Sequence, residues 1–162
     1  MAPTLALVAA VALHEVAEVY APGTAIKWPN DLLFGGAKLA GILLERRDEA
    51  VIVGFGVNLA GHPEGLDRPA TSLAALAGMA PEPGAFAEIL TDAFARWLAR
   101  WRGEGVEPIR ARWLAAAHPL GTALATDQGE GLFDGLDPSG ALRLRLADGT
   151  LRLIGAGDVF LI

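Results

Sequence analysis

Two lysines, a carboxamide and a carboxylate fall within a dozen residues of chain that otherwise reads as buried strand. They are Lys27-Trp28-Pro29-Asn30-Asp31, then Lys38-Leu39-Ala40-Gly41-Ile42-Leu43. Charged side chains rarely border a core without a partner or ligand to compensate them. That cost suggests a site for something anionic. At 162 residues, one principal domain with room for a small appendage is expected.

The flanking segments predict the layers around it. Leu5, Val8, Ala12 and Val16 recur at helical spacing, with Leu7 and Val11 on another face, so a largely buried helix ends near Tyr20, before Pro22-Gly23. Ala25 to Trp28 reads as a short strand that Pro29 interrupts, and Leu32 to Phe34 continues as another. Lys38 to Glu45 and Ala50 to Leu59 are apolar, β-compatible runs around Arg46-Arg47-Asp48-Glu49, an antiparallel hairpin by pattern. Loop punctuation follows to Pro69, and Thr71 or Ser72 can cap a short helix through Ala77. Phe86, Ile89, Leu90, Ala93, Phe94, Trp97 and Trp101 keep helical spacing without a miss, and Val106 to Leu114 suggests a further helix. From Gly121 onward the chain is short strands cut by glycines. Leu142, Leu144 and Leu146 alternate with Arg143 and Arg145, and Asp148-Gly149 is a hairpin-turn signal. A piece this short makes a poor core alone, so it is expected to dock on what precedes it.

Composition excludes several classes. A net charge of -6 argues against a nucleic-acid partner, which needs a lysine or arginine excess. With no cysteine there is no disulfide, thiolate metal site or cysteine nucleophile. The apolar start lacks a preceding positive charge and is too short to span a membrane, so no membrane is expected and the default location is cytoplasmic. His14, His62 and His118 show no metal-ligand spacing. There is no Walker A sequence, and Gly54-Phe55-Gly56-Val57-Asn58 lacks the third glycine and following helix of a dinucleotide fingerprint.

The motif residues have chemical uses and plainer ones. Lys38 opens a strand, so its backbone is held, and a fixed ammonium can stabilise negative charge in a transition state; it can equally be a strand-end lysine with its head in water. Asp31 can ligate magnesium and Asn30 can bind ribose or phosphate, yet Pro-Asn-Asp is also ordinary turn composition. Lys27 and Trp28 can be a half-wet strand residue and a core indole. The glycines before Asn58 can admit a ligand to the backbone.

KWPND, then KLAGILLE, then GFGVNL, in that order and spacing, resemble the catalytic domain of biotin protein ligases. The tail from Gly131 to Ile162 is similar to that family's small SH3-like C-terminal domain. The resemblance implies ATP-dependent activation of biotin to biotinyl-5′-AMP and transfer to a lysine of a carboxylase's biotin carrier domain. It implies Lys38 as the catalytic residue, touching the reacting carboxylate and phosphate; Lys38, Gly41 and Leu43 at biotin; and Lys27, Asn30, Asp31 and Asn58 at the nucleotide. It also implies Mg2+ entering with ATP, with Asp31 and Asn58 as ligands, and a possible homodimer through the central sheet. The expected fold is α+β: a mixed, largely antiparallel sheet with packed helices over residues 1–117, the catalytic domain, then a small SH3-like β-barrel over 118–162.

One feature departs from the family pattern. Nothing in residues 1–26 resembles the Ser-Thr-Asn segment or the Gly/Arg-rich loop that grip biotin and close over the adenylate. The expectation is therefore a catalytic domain lacking its N-terminal part, joined to the C-terminal domain, with weakened turnover and an exposed sheet edge or face. The alternative is a non-catalytic nucleotide- or carrier-binding module derived from a ligase.

Overall fold

The computed structural model describes residues 2–65 and 67–162. The apolar N-terminal stretch forms helix α1 (Ala2–Tyr20). Every residue from Leu7 to Leu13 is buried; the helix is apolar all round because it is covered all round. It packs on strands β1 (Ala25–Lys27), β2 (Asp31–Phe34) and β3 (Ala37–Arg47), and also on helices α3 (Pro83–Glu104) and α4 (Glu107–Ala116). Among the described residues no helix is long and apolar enough to cross a membrane.

The first sheet runs β1-β2-β3-β4, with β4 at Ala50–Val57, and each neighbouring pair is antiparallel. The predicted hairpin is β3–β4, paired from Ala40↔Val57 to Arg47↔Ala50. Ser72 caps the short helix α2 (Leu73–Ala77) through the Ala75 amide. On α3, Phe86, Leu90 and Ala93 are buried, and Trp97 and Trp101 pack partly buried on the same core, which agrees with the spacing read from the sequence except at Ile89, which is exposed.

A bulge between β2 and β3 decides where the charges point. Leu32 pairs with Ala40, but Leu33 pairs with Lys38, so Leu39 is the extra residue. In an unbroken strand Lys38 and Gly41 face opposite sides. The bulge turns Lys38 onto the face of Asp31 and Gly41, which pair directly, while Leu39 goes fully into the core.

The second sheet comprises β5 (Ala123–Thr126), β6 (Gly129–Leu136), β7 (Leu142–Arg145), β8 (Leu151–Ile154) and β9 (Val159–Leu161), in the order β8-β7-β6-β5-β9. Two expectations are corrected here. The first sheet is not mixed: among the described residues all strand ladders are antiparallel, and the parallel pairings are the isolated bridges Ile26↔Ala117 and Lys38↔Ala70. The C-terminal sheet is not an SH3-like β-barrel, because β8 and β9 are its two edges and do not pair, whereas a barrel needs that closing ladder. Its inner face is covered instead by Trp113, edge-on to Phe133 at 6.3 Å, and by Trp28, whose indole N–H donates to the Gly140 carbonyl at 3.1 Å. A sheet capped by another layer can bury its apolar face without curling shut. Leu124, Phe133, Leu142, Leu144 and Val159 join the same hydrophobic cluster as α1.

Candidate functional site

Lys27 closes β1 and Asp31 opens β2, so the short turn through Pro29-Asn30 brings the two back to back, paired in register. The Lys27 side chain is buried, not half-wet. Its ammonium lies 3.2 Å from Asp31 Oδ2 and donates to the Val159 carbonyl at 2.9 Å. Lys38, turned by the bulge, lies 2.7 Å from Asp31 Oδ1 and stays half exposed. One carboxylate thus holds two ammonium groups, one buried and one facing solvent. Gly41 makes room: a Cβ there would stand 3.2 Å from Asp31 Oδ1 and from Lys38 Cε and Nζ.

The neighbouring backbone is fixed. The Lys38 amide donates to the Pro69 carbonyl at 2.9 Å, and its carbonyl accepts from the Thr71 amide at 2.9 Å. Asn58 ends β4 and donates through Nδ2 to the carbonyls of Lys38 at 3.3 Å and Thr71 at 2.9 Å. Its amide donates to the Leu39 carbonyl at 3.0 Å. Asn30 is a clamp on β3: its carbonyl accepts from the Ile42 amide at 2.9 Å, and its side chain donates back to the Ile42 carbonyl.

Two openings meet at the triad. A cavity of about 660 Å³ is lined by Lys27, Lys38, Asn58, Arg68, Val159 and Phe160 among others. A second cleft of about 570 Å³ runs over Asn30, Leu43 and Gly54. Both share Lys27, Asp31, Lys38, Gly41 and Gly56. The expected residues are therefore brought together: Lys27, Lys38, Asp31 and Gly41 at the junction, Asn58 in the larger lobe, Asn30 and Leu43 in the smaller. Each lobe is of a size that takes a small molecule, and the shared floor is cationic on both sides of one carboxylate.

The chain's own donors are not those of a resident metal site. Both Asp31 oxygens accept from ammonium groups, the Asn58 amide nitrogen is spent on two carbonyls, and no group of three metal-ligating side chains occurs among the described residues. Nearby, burial holds His118 below the usual histidine range, and the Lys27 charge adds to the effect. Three residues that line the larger opening carry no signal in the sequence. Val159 acts through its carbonyl, which carries no residue signature; Phe160 lies far along the chain; and Arg68 sits in a Gly/Pro loop where an arginine is unremarkable in composition.

Comparison with known proteins fits this geometry. Residues 4–59 match the family described as "Biotin/lipoate A/B protein ligase family", and residues 123–162 match "Biotin protein ligase C terminal domain". The chain is 43% identical to the biotin–[acetyl-CoA-carboxylase] ligase of Paracoccus denitrificans, over 98% of this chain and 73% of that protein. It is 35% identical to the enzyme of that name from Mycobacterium tuberculosis, over 84% of this chain and 52% of that protein. The solved structure of the Aquifex aeolicus biotin protein ligase in complex with biotin and ATP shares the fold, with a TM-score of 0.88 at 22% identity over 99% of this chain and 72% of that one. These matches correct the expectation of a catalytic domain lacking its N-terminal part, joined to an SH3-like C-terminal domain. What they support is a biotin protein ligase catalytic core that includes its C-terminal small domain at residues 123–162.

Proposed function

We propose, from the premise that this chain belongs to the biotin–[acetyl-CoA-carboxylase] ligase family, that it activates biotin with ATP and passes it to a lysine of a biotin carrier protein. The observation that carries the reading is the meeting of two lobes on Lys27–Asp31–Lys38. A carboxylate and a polyphosphate repel one another. An enzyme that joins them needs cations fixed where the two touch, in place before either arrives.

Biotin takes the smaller lobe, over Gly41 and Leu43, and ATP the larger, beside Asn58. A carboxylate oxygen of biotin attacks the α-phosphorus of ATP; the bond from that phosphorus to the bridging oxygen breaks, and pyrophosphate leaves. Lys38 neutralises the reacting carboxylate and α-phosphate, and Lys27 the phosphate behind it. Asp31 aligns both ammonium groups, and Asn30 holds β3 against the turn that carries them. The ε-amine of the carrier lysine then attacks the acyl carbon of biotinyl-5′-AMP, and AMP departs. Magnesium, bound with the ATP phosphates, would supply charge neutralisation there. With both oxygens engaged, Asp31 is not a free ligand for it; Asn58 keeps a carbonyl oxygen that can face it.

The same reading takes residues 1–117 as the catalytic domain and 118–162 as the small domain. It places the enzyme in the cytoplasm, with no nucleic-acid partner given its charge of -6. A homodimer through the first sheet belongs to it as well, supported by the exposed Ile52 on edge strand β4. The test is direct. The purified chain, given biotin, ATP and a carrier domain, releases pyrophosphate only when biotin is present and adds one biotinyl mass to the carrier. A folded chain that does neither contradicts the proposal.

A further inference from the structure

Three cations line the larger lobe: Lys27, Lys38 and Arg68. The first two share Asp31. Arg68 has no carboxylate partner and no hydrogen bond from its guanidinium among the described residues; its recorded contact is the Phe160 ring, whose centre lies 3.7 Å away. The two come from separate elements, Arg68 from the connection after β4 and Phe160 from β9. Lys27 Nζ is 6.0 Å from the same ring centre, so an exposed guanidinium and a buried ammonium both lie near this ring.

The backbone beside Arg68 is anchored, since the Pro69 carbonyl accepts from the Lys38 amide at 2.9 Å. The start of the Arg68 side chain is thereby held next to the catalytic lysine, while its exposed end can swing. A cation over a ring at an exposed site is a weak contact, and a forked, charge-assisted pair with a phosphate is a stronger one. A polyphosphate entering this lobe therefore outcompetes the ring for the guanidinium. We propose that Arg68 is a polyphosphate-binding residue, parked on Phe160 in this structure, whose guanidinium transfers to the β- and γ-phosphates of ATP. Lys27 and Lys38 are then left for the carboxylate and the α-phosphate. The idea rests on the ligase reading and adds to it the residue that holds the leaving group.

The experiment is calorimetric titration of the whole 162-residue chain with ATP, AMP and inorganic pyrophosphate, in the parent, Arg68→Gln, Arg68→Lys and Phe160→Leu. Arg68→Gln is expected to weaken ATP and pyrophosphate about 10- to 100-fold and to leave AMP within about twofold. Arg68→Lys, which keeps the charge without the fork, recovers part of the loss. Phe160→Leu, which removes only the parking contact, is expected to weaken ATP less than Arg68→Gln does. Equal loss for AMP and ATP in Arg68→Gln, or no loss for either, overturns the assignment while a parent that binds ATP keeps the ligase reading intact. A loss in Phe160→Leu as large as in Arg68→Gln overturns the transfer from ring to phosphate. A folded parent that binds neither ATP nor pyrophosphate removes the ligase reading, and this inference with it.

Discussion

Gly41→Ala separates the geometry of the site from the stability of the fold. Gly41 sits in β3 opposite Asp31, with no left-handed backbone to strain an alanine. The added Cβ would lie 3.2 Å from Asp31 Oδ1 and from Lys38 Cε and Nζ, so these neighbours must give by a few tenths of an ångström. Asp31 is held from behind by the buried Lys27, and Lys38 is half exposed, so Lys38 is the group that yields. Its exposed ion pair then contributes less, a loss of at most about 1 kcal/mol. Replacing glycine where the backbone suits alanine returns about 0.4–1 kcal/mol through the unfolded chain. The two effects offset, and the urea midpoint should stay near that of the parent. The rate does not escape: a 1 Å misplacement can cost on the order of 10²-fold, so about half that distance predicts a loss of about tenfold in biotin-dependent pyrophosphate release. Parental turnover in Gly41→Ala, or a loss matched by unfolding, would refute the reasoning.

Gly131→Ala should do the reverse. A Cβ there would stand 2.6 Å from the Arg145 carbonyl oxygen on the paired strand, and backbone cannot retreat as a lysine tip can; we expect a loss of about 1–3 kcal/mol in chemical denaturation, far from the triad. Stability should also depend on pH through the histidines. Burial holds His14 and His118 below the usual range, helped at His118 by Lys27. Below an unfolded pKa of about 6.5 the unfolded chain binds protons that the folded chain refuses, so unfolding becomes easier as pH falls through that value and towards the folded ones. Urea titrations above and below it should show a lower midpoint on the acid side, and the His14→Gln/His118→Gln pair should flatten the difference.

Much of the scaffold was legible because local patterns and tertiary demands agree. The β3–β4 hairpin follows from two apolar runs around a charged turn, and α3 from a periodicity that its buried Phe86, Leu90 and Ala93 satisfy. The closeness of Lys27, Asp31 and Lys38 in the sequence points to an anion-handling site, and the motif resemblance adds the roles of the residues. The bulge at Leu39 was invisible, since nothing in Lys38-Leu39-Ala40 distinguishes a regular strand from one with an extra residue; yet it sets the face on which Lys38 lies. The burial of Lys27 was missed because its partner is a carbonyl 132 positions along the chain. The barrel was misjudged for a related reason. Alternation and turn signals identify short strands, but whether β8 meets β9 depends on what covers the sheet, and here Trp28 and Trp113 cover it.

In the proposed reaction a half-exposed ammonium, seated on Asp31 where two lobes join, draws two anions together. Lys38→Ala tests it most directly, read by pyrophosphate release with biotin and ATP alongside a thermal melt of the same sample. Release should fall at least about 10²-fold, the cost of removing one preorganised charged group, with the melt little changed because an exposed ion pair contributes little to stability. Release near the parental rate from a folded Lys38→Ala chain would contradict it.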